Sequence, residues 1–456
     1  MRLNPRWLGL AATTLLALSG FLAGKPLPHD AAWVTGVVVW FVALLLLARA
    51  WWSLRGVTAP RELLVTAAIW SAPLLVAPPM GALDVYAYAC QGQLFDAGIN
   101  LYEHGPSALP CTWLSEVPPL WRDTPTPYGP LWFALSGGVA WLAHGHLIVA
   151  VGLFRLLAIL GLVLCVAAAH RLTDGNAVLA ASPLVLIHVV SGVHNDILLA
   201  GFLLTAFAFA TRGRSGATGA AVGLAAAVKI TALVAAPFAV LLVFFRAGGP
   251  CRRAPFGFTA ALLATYAVLA AATGHGLGFL RALGSTAELK QWLSIPTGVG
   301  MAAGYVLRAA GRPAAFDTAV AVARALGFVV LAVLLLILWW RAARTARRSP
   351  AEALDPVLTA AGLALLATAV LGPVFYAWYA LAGIALLAGT HLTGRLRTGV
   401  HVAVVALPFL TLPDSLGLAT KTKLPGALLD VALVVTLLAR LVRRPARRSQ
   451  TPELTD

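Results

Sequence analysis

The chain has 456 residues, of which 60% are hydrophobic and 11% are charged, and its formal net charge is +16. This composition, with a mean hydropathy of +0.86, lies far outside that of soluble domains and indicates a polytopic membrane protein. The apolar segments have helical length and do not alternate, which excludes a transmembrane β-barrel, and the Lys and Arg residues punctuate them without forming the single patch that a nucleic-acid partner would need.

The N-terminus begins with "MRLNPRW" and runs into an apolar core, as a signal peptide would. Because "SGFLAGK" is a poor cleavage site, we interpret residues 1–24 as an uncleaved first helix. The basic clusters between later apolar runs mark the cytoplasmic side. With roughly 20 residues per crossing, they predict an all-α polytopic membrane protein of about 14 transmembrane helices with both termini in the cytoplasm. The predicted spans lie near residues 7–23, 33–51, 62–79, 147–169, 177–193, 196–211, 217–230, 231–245, 256–273, 318–340, 354–372, 379–394, 398–412 and 425–442.

Two apolar pieces, residues 131–143 and 297–311, are too short for a comfortable crossing and border on polar residues. We therefore expect them to lie as interfacial helices on the outer face. The same arrangement predicts a second outer loop at 274–298 and outer turns at 372–379 and 413–423. The clusters of polar residues that could carry chemistry then all lie on the outer side.

The first large outer segment, residues 79–130, is a polar island without an apolar run long enough to span, and we expect the chemistry there. Asp84 lies where an apolar run leaves the membrane, so that its carboxylate would reach both lipid headgroups and water. If "DVYAYACQG" is helical, then Asp84, Tyr88 and Gln91 share one face. Asp84 is then either an acidic helix N-terminus favoured by the helix dipole or a buried catalytic carboxylate.

The chain has four cysteines. Cys165 falls in an apolar run and Cys251 lies beside two arginines, whereas Cys90 and Cys111 share the polar island. Disulfides form on the oxidising side of the membrane, so this last pair is the plausible disulfide.

The segment "SGVHNDILLA" places His194, Asn195 and Asp196 consecutively where a span begins. An ionisable group costs roughly 2.5 to 3.5 kcal/mol at mid-membrane and less near the interface, so three in a row require partners or water. They form either a helix cap on the outer surface or a site that lines an outward-facing cavity. One imidazole and two oxygen or amide donors without a second cluster are weak evidence for a metal, and we predict no metal site.

Lys229 interrupts the apolar stretch "AAVGLAAAVKITALVAAPF" where two half-length spans would meet near the outer face. A bare ammonium at this place suits a phosphate contact, and a lysine that snorkels to the interface is the alternative. Arg155 is likewise intramembrane, and the second outer loop adds Arg281, Lys290 and Arg308. Such a set of cations could bind an anionic lipid headgroup.

Aromatic residues collect in "TPTPYGPLW" and "GPVFYAWY" at the outer boundary, namely Tyr128, Trp132, Tyr376, Trp378 and Tyr379. They are explained either by an interfacial aromatic belt or by stacking on a sugar. The chain has no Walker loop, nucleotide fingerprint, GxSxG or CxxC motif, so ATP-driven transport and soluble-type hydrolysis find no support.

The order of the motifs "DVYAYA", "TPYGPLW", "FRLLA", "HND", "VKITAL" and "FYAWY" resembles polyprenol-phosphate-mannose-dependent α-1,6-mannosyltransferases of the actinobacterial cell envelope. These are integral-membrane glycosyltransferases of the GT-C class, and the likeness covers most of residues 60–395. It implies a GT-C-like bundle in which the loop after an early span carries the acidic catalytic residue, at Asp84, and a helix lies along the membrane at 131–143.

The resemblance also implies a reaction. The donor is a polyprenyl-phosphate-linked mannose, transferred with inversion to a glycan or lipoglycan acceptor at the outer face of the lipid bilayer. Asp84 would act as general base, and Lys229 with an arginine such as Arg281 would stabilise the phosphate left behind. Tyr88, Gln91, Tyr128, His194, Asn195, Asp196, Tyr376 and Trp378 are the other predicted substrate-binding residues. No cofactor is expected.

The corresponding domain division has three parts. Residues 1–60 form two N-terminal helices beyond the minimal GT-C core, residues 61–442 form the catalytic membrane domain with its outer loop 79–146, and residues 443–456 form a basic-then-polar cytoplasmic tail.

A transporter or flippase of a polyprenyl-linked glycan is the alternative, because it would explain Arg155, Lys229 and Asp430 within the membrane. Transporters often place discontinuous helices at mid-membrane in corresponding positions of two halves. Here the polar residues collect on one side of the membrane, which favours an enzyme.

Overall fold

A computed structural model describes residues 4–25, 29–57, 59–173, 177–246, 253–285, 289–415 and 417–443. Within these ranges all regular secondary structure is helical, apart from one isolated antiparallel bridge between Thr411 and Gly417. The expected all-helical fold is therefore confirmed. The cytoplasmic tail predicted at 443–456 lies almost wholly outside the described residues.

The helices follow one another in chain order. The first are α1 (Pro5–Ala23), α2 (Ala31–Ser53), α3 (Pro60–Val76), α4 (Asp84–Asp96), α5 (Pro119–Arg122), α6 (Pro130–Ala143), α7 (Leu147–Leu172), α8 (Pro183–Val185), α9 (Asp196–Ala210) and α10 (Ser215–Val228). The others are α11 (Ala236–Arg246), α12 (Arg253–Thr273), α13 (Phe279–Ser285), α14 (Ile295–Ala309), α15 (Phe316–Arg348), α16 (Leu354–Leu371), α17 (Leu381–Ala388), α18 (Gly394–Ala406), α19 (Leu418–Lys421) and α20 (Lys423–Val442). A π-helical segment, Leu186–Ser191, continues α8.

Six of the described helices are long and apolar enough to cross a membrane. They are α1, α2, α7, α12, α15 and α16, of which α2 and α15 are each lengthened by a 3-10 turn. A seventh crossing arises if Pro183–Ser191 and Asp196–Ala210, joined by a bend of 113°, count as one span. The chain is thus a helical membrane protein, but these helices do not support the predicted count of about fourteen spans.

Several predicted spans are shorter helices because the backbone breaks within or beside the apolar run. The span predicted at 217–230 is α10, with 14 residues, and the one at 379–394 reduces to α17, with 8 residues. At 1.5 Å per residue, a helix of that first length reaches about 21 Å, short of the roughly 30 Å hydrocarbon core. Hydropathy reports composition and does not register such breaks.

The two pieces predicted to lie along the membrane are separate helices of 14 and 15 residues, α6 and α14. α6 starts with Pro130 directly after Gly129, and α14 starts after Ser294, whose hydroxyl accepts the Thr297 N–H. Proline suits a first helical turn because its missing N–H would have no intrahelical partner there. The lengths agree with the prediction, and the orientation to the membrane stays a prediction.

Arg155 of α7 is buried and joins two elements of the fold. Its guanidinium donates from Nη1 to the Leu75 carbonyl and from Nη2 to the Ala77 carbonyl, both at 2.6 Å. These carbonyls lie at the C-terminal end of α3, where the helix provides no N–H partner for them and an apolar environment supplies no other hydrogen-bond donor. Both terminal nitrogens of Arg155 therefore bind the segment that leads from α3 to Asp84. Arg155 thus has a structural role in place of the expected contact with a lipid headgroup.

The predicted disulfide is confirmed. Cys90 of α4 is bonded to Cys111, and their Cα atoms are 5.5 Å apart. The bond ties the middle of α4 to the outer loop that follows it. Closing a loop of this size is worth about 3 kcal/mol of stability by chain-entropy arguments.

Candidate active site

Asp84 is the first residue of α4 and is only 6% exposed. The preceding Gly81 has φ +73°, and a Cβ there would lie 2.7 Å from the Cγ2 atom of Ile187. A residue without a side chain is required where the backbone both adopts a left-handed conformation and approaches a neighbour this closely. The turn therefore places the Asp84 carboxylate inside the protein. Asp84 is both buried and the acidic first residue of a helix, so the two interpretations coexist, and its catalytic role stays a prediction.

The environment of Asp84 changes its acidity. Burial raises the pKa of Asp84 to about 7, while the charge of Lys229 lowers it, the charge of Asp196 raises it and a hydrogen bond from Trp121 lowers it. Its Oδ1 atom has no hydrogen-bond partner among the residues that the structure describes. A carboxylate with a pKa near neutrality and a free lone pair has the properties of a general base.

The three residues of the "HND" motif lie in the sharp bend between the π-helical segment Leu186–Ser191 and α9. His194 is fully buried, and its Nδ1 atom is 3.8 Å from Oδ2 of Asp84. This distance is too long for a hydrogen bond, but catalytic contacts are often longer before substrate binds. Val193 just before it has φ +58°, a strained value for a β-branched residue.

Asn195 occupies the N-cap position of α9, yet its side chain makes no capping hydrogen bond. Both polar atoms of the side chain are buried and have no hydrogen-bond partner in the described ranges. The simple cap interpretation of the motif is therefore not supported for Asn195.

Lys229 lies in an extended conformation between α10 and the 3-10 turn Ile230–Ala235. Its Nζ atom is 2.9 Å from Oδ1 of Asp196 and 4.1 Å from the centre of the Tyr379 ring. The side chain points into the protein and is 11% exposed. The expectation of a bare ammonium is therefore wrong, and the snorkelling interpretation does not fit either, because the charge is paired in the interior.

The "TPYGPLW" segment is joined by a backbone hydrogen bond to Val228, the residue before Lys229. The Gly129 N–H donates to the Val228 carbonyl at 2.9 Å, and a Cβ at position 129 would lie 2.3 Å from the Ala227 carbonyl oxygen. This close approach puts the Tyr128 ring 6.0 Å from Nζ of Lys229.

Tyr128 also links this segment to α4. Its hydroxyl is 3.3 Å from the hydroxyl of Tyr88, which lies one helical turn after Asp84. Trp132, at the start of α6, packs edge-on against Tyr88 with ring centres 5.0 Å apart.

The "FYAWY" motif forms an aromatic wall opposite Asp84. Trp378 is stacked between His194, with ring centres 4.0 Å apart, and Tyr376, at 4.6 Å. Trp378 is only 3% exposed, so it is not part of an interfacial belt, and neither of its faces is open to a sugar. Its contact instead fixes the plane of the His194 ring.

The structure brings eight of the predicted site residues together, namely Asp84, Tyr88, Tyr128, His194, Asp196, Lys229, Tyr376 and Trp378. Gln91 is buried on α4, and its Oε1 atom has no hydrogen-bond partner among the described residues. Arg281 lies in α13, and its side chain is outside the described residues. Among the described residues no group of three or more His, Cys, Asp or Glu side chains is arranged to hold a metal ion.

Sequence reasoning missed two residues of this site. Trp121 of α5 reaches the Asp84 carboxyl, but nothing in its sequence context separates it from the other tryptophans of the outer loop. His188 packs with its ring centre 5.4 Å from that of Trp378, and both of its ring nitrogens are buried without a hydrogen-bond partner in the part of the chain that the structure describes. The sequence feature that could have identified His188 is its position as a single histidine inside the apolar run "PLVLIHVV".

The chain is similar to one family of proteins along most of its length. Residues 6–245 match the alpha-(1->6)-mannopyranosyltransferase N-terminal domain, and residues 296–441 match the MptB C-terminal domain. Alpha-(1->6)-mannopyranosyltransferase A of Mycobacterium tuberculosis is 33% identical over 82% of this chain and 78% of its own length. Alpha-(1->6)-mannopyranosyltransferase B of Corynebacterium glutamicum is 26% identical over 77% of this chain and 63% of its own length. No solved structure matches the chain.

Both matched regions contribute to the cluster around Asp84, since the first holds the ionisable residues and the second holds the aromatic wall. The resemblance drawn from the order of the motifs is confirmed. The chain belongs to the alpha-(1->6)-mannopyranosyltransferase family and is a membrane mannosyltransferase.

Proposed function

We propose that the protein transfers mannose from a polyprenyl-phosphate-linked donor to a (lipo)mannan-type glycan acceptor at the outer face of the plasma membrane, with inversion and with Asp84 as general base. One observation carries the proposal. Asp84 is a buried carboxylate that has no cation of the described part of the chain at hydrogen-bond distance, whereas the nearby Asp196 is held in an ion pair with Lys229.

The two carboxylates are suited to different roles. Asp196 Oδ1 is 2.9 Å from Nζ of Lys229, so its charge is neutralised and one oxygen is occupied. Asp84 keeps a free Oδ1 atom and a pKa of about 7, raised chiefly by burial. Asp84 can therefore take a proton near neutral pH, and Asp196 orients Lys229.

In the proposed step the acceptor hydroxyl gives its proton to Asp84 while its oxygen attacks the anomeric carbon. The bond from that carbon to the phosphate oxygen breaks, and the polyprenyl phosphate leaves with the electron pair. A phosphate is a good leaving group that needs no acid, so one carboxylate is sufficient. A positioned general base contributes about 10²- to 10⁴-fold to such a step.

Lys229 is the group best placed to stabilise the departing phosphate. A lysine has three donor positions, of which one is directed at Asp196 and the others remain for an incoming anion. The rings of Tyr379 and Tyr128 lie beside the ammonium and limit its movement. Asp196 then serves as a resting partner that holds the ammonium in position before the donor binds.

An apolar cavity supports the lipid nature of the donor. It has a volume of about 660 Å³ and lies between α3, α7, α9 and α17. One end is lined by Leu75 and Val190, close in the chain to Asp84 and His194, and the other reaches Pro60 and His170 at the opposite ends of α3 and α7. The apolar lining fits part of a polyprenyl chain, and in this proposal the donor lipid occupies the cavity.

The membrane arrangement belongs to the same proposal. Residues 61–442 form the catalytic unit, residues 1–60 add two helices to it, and both termini are cytoplasmic, with the active site on the outer side. In this orientation α6 and α14 lie along the outer face. The acceptor glycan enters from that side, past the half-buried rings of Trp121 and Tyr376.

The test uses the purified full-length protein in detergent with radiolabelled polyprenyl-phosphate-mannose and a synthetic mannoside. Transfer of label to the mannoside without a sealed compartment is the expected result, and its loss in the Asp84→Asn variant assigns the base. A flippase would move the labelled lipid only across a sealed vesicle and would leave the mannoside unlabelled. That outcome would replace the enzyme by the alternative.

A further inference from the structure

The loop that leads into Asp84 is held from outside by the turn between α18 and α19. The Gly81 N–H donates to the Pro413 carbonyl at 3.1 Å, three residues before Asp84. The left-handed conformation of Gly81 directs this N–H toward the turn. The position of Asp84 therefore depends on where Pro413 is placed.

The next residue of that turn, Asp414, is itself fixed by the N-terminal helices. Its Oδ2 atom accepts hydrogen bonds from the indole N–H of Trp33 at 2.9 Å and from Nε2 of His29 at 2.9 Å. The two rings stack on each other with centres 4.2 Å apart. The Asp414 side chain is 1% exposed, so these bonds are shielded from competing water.

Trp40 provides a second attachment one to two turns further along α2. Its indole N–H donates to the Thr411 carbonyl at 3.0 Å, and its ring is fully buried beside Gly81. α2 thus contacts the turn at Thr411 and at Asp414. These two residues lie on either side of Pro413, whose carbonyl accepts the Gly81 N–H.

We infer that Asp414 is a positioning residue for the transfer reaction: together with Trp33 and Trp40 it makes α2 a brace that sets, through Pro413 and Gly81, where the Asp84 carboxylate points. This inference rests on the proposed role of Asp84. It gives a function to α2, the second of the two N-terminal helices. Asp414 touches neither donor nor acceptor and acts through the loop.

The chain contains a matched control. Asp355, at the start of α16, makes an equivalent pair with His391, with Oδ2 and Nδ1 2.7 Å apart, but both side chains are more exposed and the pair is not connected to Gly81. The variants are Asp414→Ala, Asp414→Asn, Trp33→Phe and Asp355→Ala, each in the full chain. Asparagine keeps an oxygen that accepts from Trp33 and His29, and phenylalanine keeps the stacked ring while it removes one hydrogen bond.

Two readouts separate positioning from general stability. The first readout compares kcat with the half-saturation concentration of the donor. Asp414→Ala should lower kcat by about 10- to 100-fold, because a misplacement of the base by about 1 Å costs that much. The half-saturation concentration of the donor should not change. Asp414→Asn should recover most of the rate, Trp33→Phe should fall between the two, and Asp355→Ala should match the parent.

The second readout is hydrogen–deuterium exchange. The amide of Gly81 should exchange faster in Asp414→Ala than in the parent, while peptides from α7 stay unchanged. An unchanged kcat together with an unchanged Gly81 amide overturns the inference, as does a loss of activity in which Asp414→Asn gives no recovery. If Asp84→Asn is active, the proposed function fails, but the exchange measurement still decides whether Asp414 holds the loop.

Discussion

The two matched regions of the chain contribute different kinds of residue to one site. Residues 6–245 supply the acidic and basic groups together with the rings of Tyr88 and Tyr128, and residues 296–441 supply further rings and anchoring contacts. The acidic and basic members are Asp84, His194, Asp196 and Lys229, and the aromatic members from the second region are Tyr376, Trp378 and Tyr379. In the proposed mechanism the first region therefore carries the proton transfer and the phosphate contact, and the second region contributes rings that pack against these groups.

The aromatic segment of the second region is held by side chains that donate hydrogen bonds to backbone carbonyls. The hydroxyl of Ser294, just before this region, donates to the Gly372 carbonyl at 2.6 Å, and that of Thr297 donates to the Pro373 carbonyl at 2.7 Å. Arg324 of α15 donates to both the Thr297 hydroxyl and the Pro373 carbonyl. An irregular segment can remain within a membrane protein only if its carbonyls find such donors. The aromatic wall is therefore rigid, although it is not helical.

The largest effect should come from the first region. Asp84→Asn keeps the shape of the side chain but cannot accept a proton, so kcat should fall by about 10²- to 10⁴-fold, with donor binding near normal. The measurement is single-turnover transfer with labelled donor. Asp96→Asn, at the exposed end of the same helix, is the control and should retain activity. Equal rates for the Asp84 variant and the parent would remove Asp84 from the mechanism.

Lys229→Met should act on donor binding. It keeps the apolar stem and removes the charge, so the loss of one charge-assisted contact should weaken donor affinity by roughly 1.5 to 3 kcal/mol, seen as a raised half-saturation concentration. Dependence on the acceptor should not change, and Lys229→Arg should recover part of the affinity. Lys290→Met, which breaks a more exposed pair with Asp317, is the control. Donor titrations that overlay those of the parent would make Lys229 a structural residue.

The pH dependence should follow Asp84. Its pKa is raised to about 7 by burial, and only the deprotonated form accepts a proton, so kcat/KM for the acceptor should fall about tenfold per unit as the pH drops below that value. Because the charge of Lys229 lowers this pKa, Lys229→Met should move the acid limb to higher pH. The profile is measured between pH 5 and 9, and an acid limb that stays in place in the variant would contradict the coupling.

The smallest effect on rate should come from the second region. Thr297→Val keeps the volume but removes the donor to Pro373 and the acceptor for Arg324, which should cost about 1 to 3 kcal/mol of stability. We expect a lower thermal unfolding temperature and a moderate decrease in kcat, with the acid limb of the pH profile unchanged. A shift of that limb would show that the second region also sets the acidity of Asp84, and the division of roles would then be wrong.

Much of the site was predictable because its residues are unusual where they stand. Asp84, the "HND" motif and Lys229 are polar groups at the edges of apolar runs, and such placement is costly unless the groups have partners. The partners themselves were not predictable. Asp196 and Lys229 are 33 positions apart, and the pair forms only because α9 and α10 pack together.

The sequence by itself determined the class of the protein, the all-helical fold, the region of the site, the Cys90–Cys111 pair and, through the order of motifs, the family. These properties depend on composition and on local residue patterns. Tertiary structure alone decided the number of long helices, the use of Arg155 for backbone carbonyls, the covered faces of Trp378 and the contact between α2 and the turn at Asp414. The last of these joins residues 381 positions apart in the chain. Contacts of that kind depend on how helices pack against one another, and hydropathy or spacing along the chain carries no record of that packing.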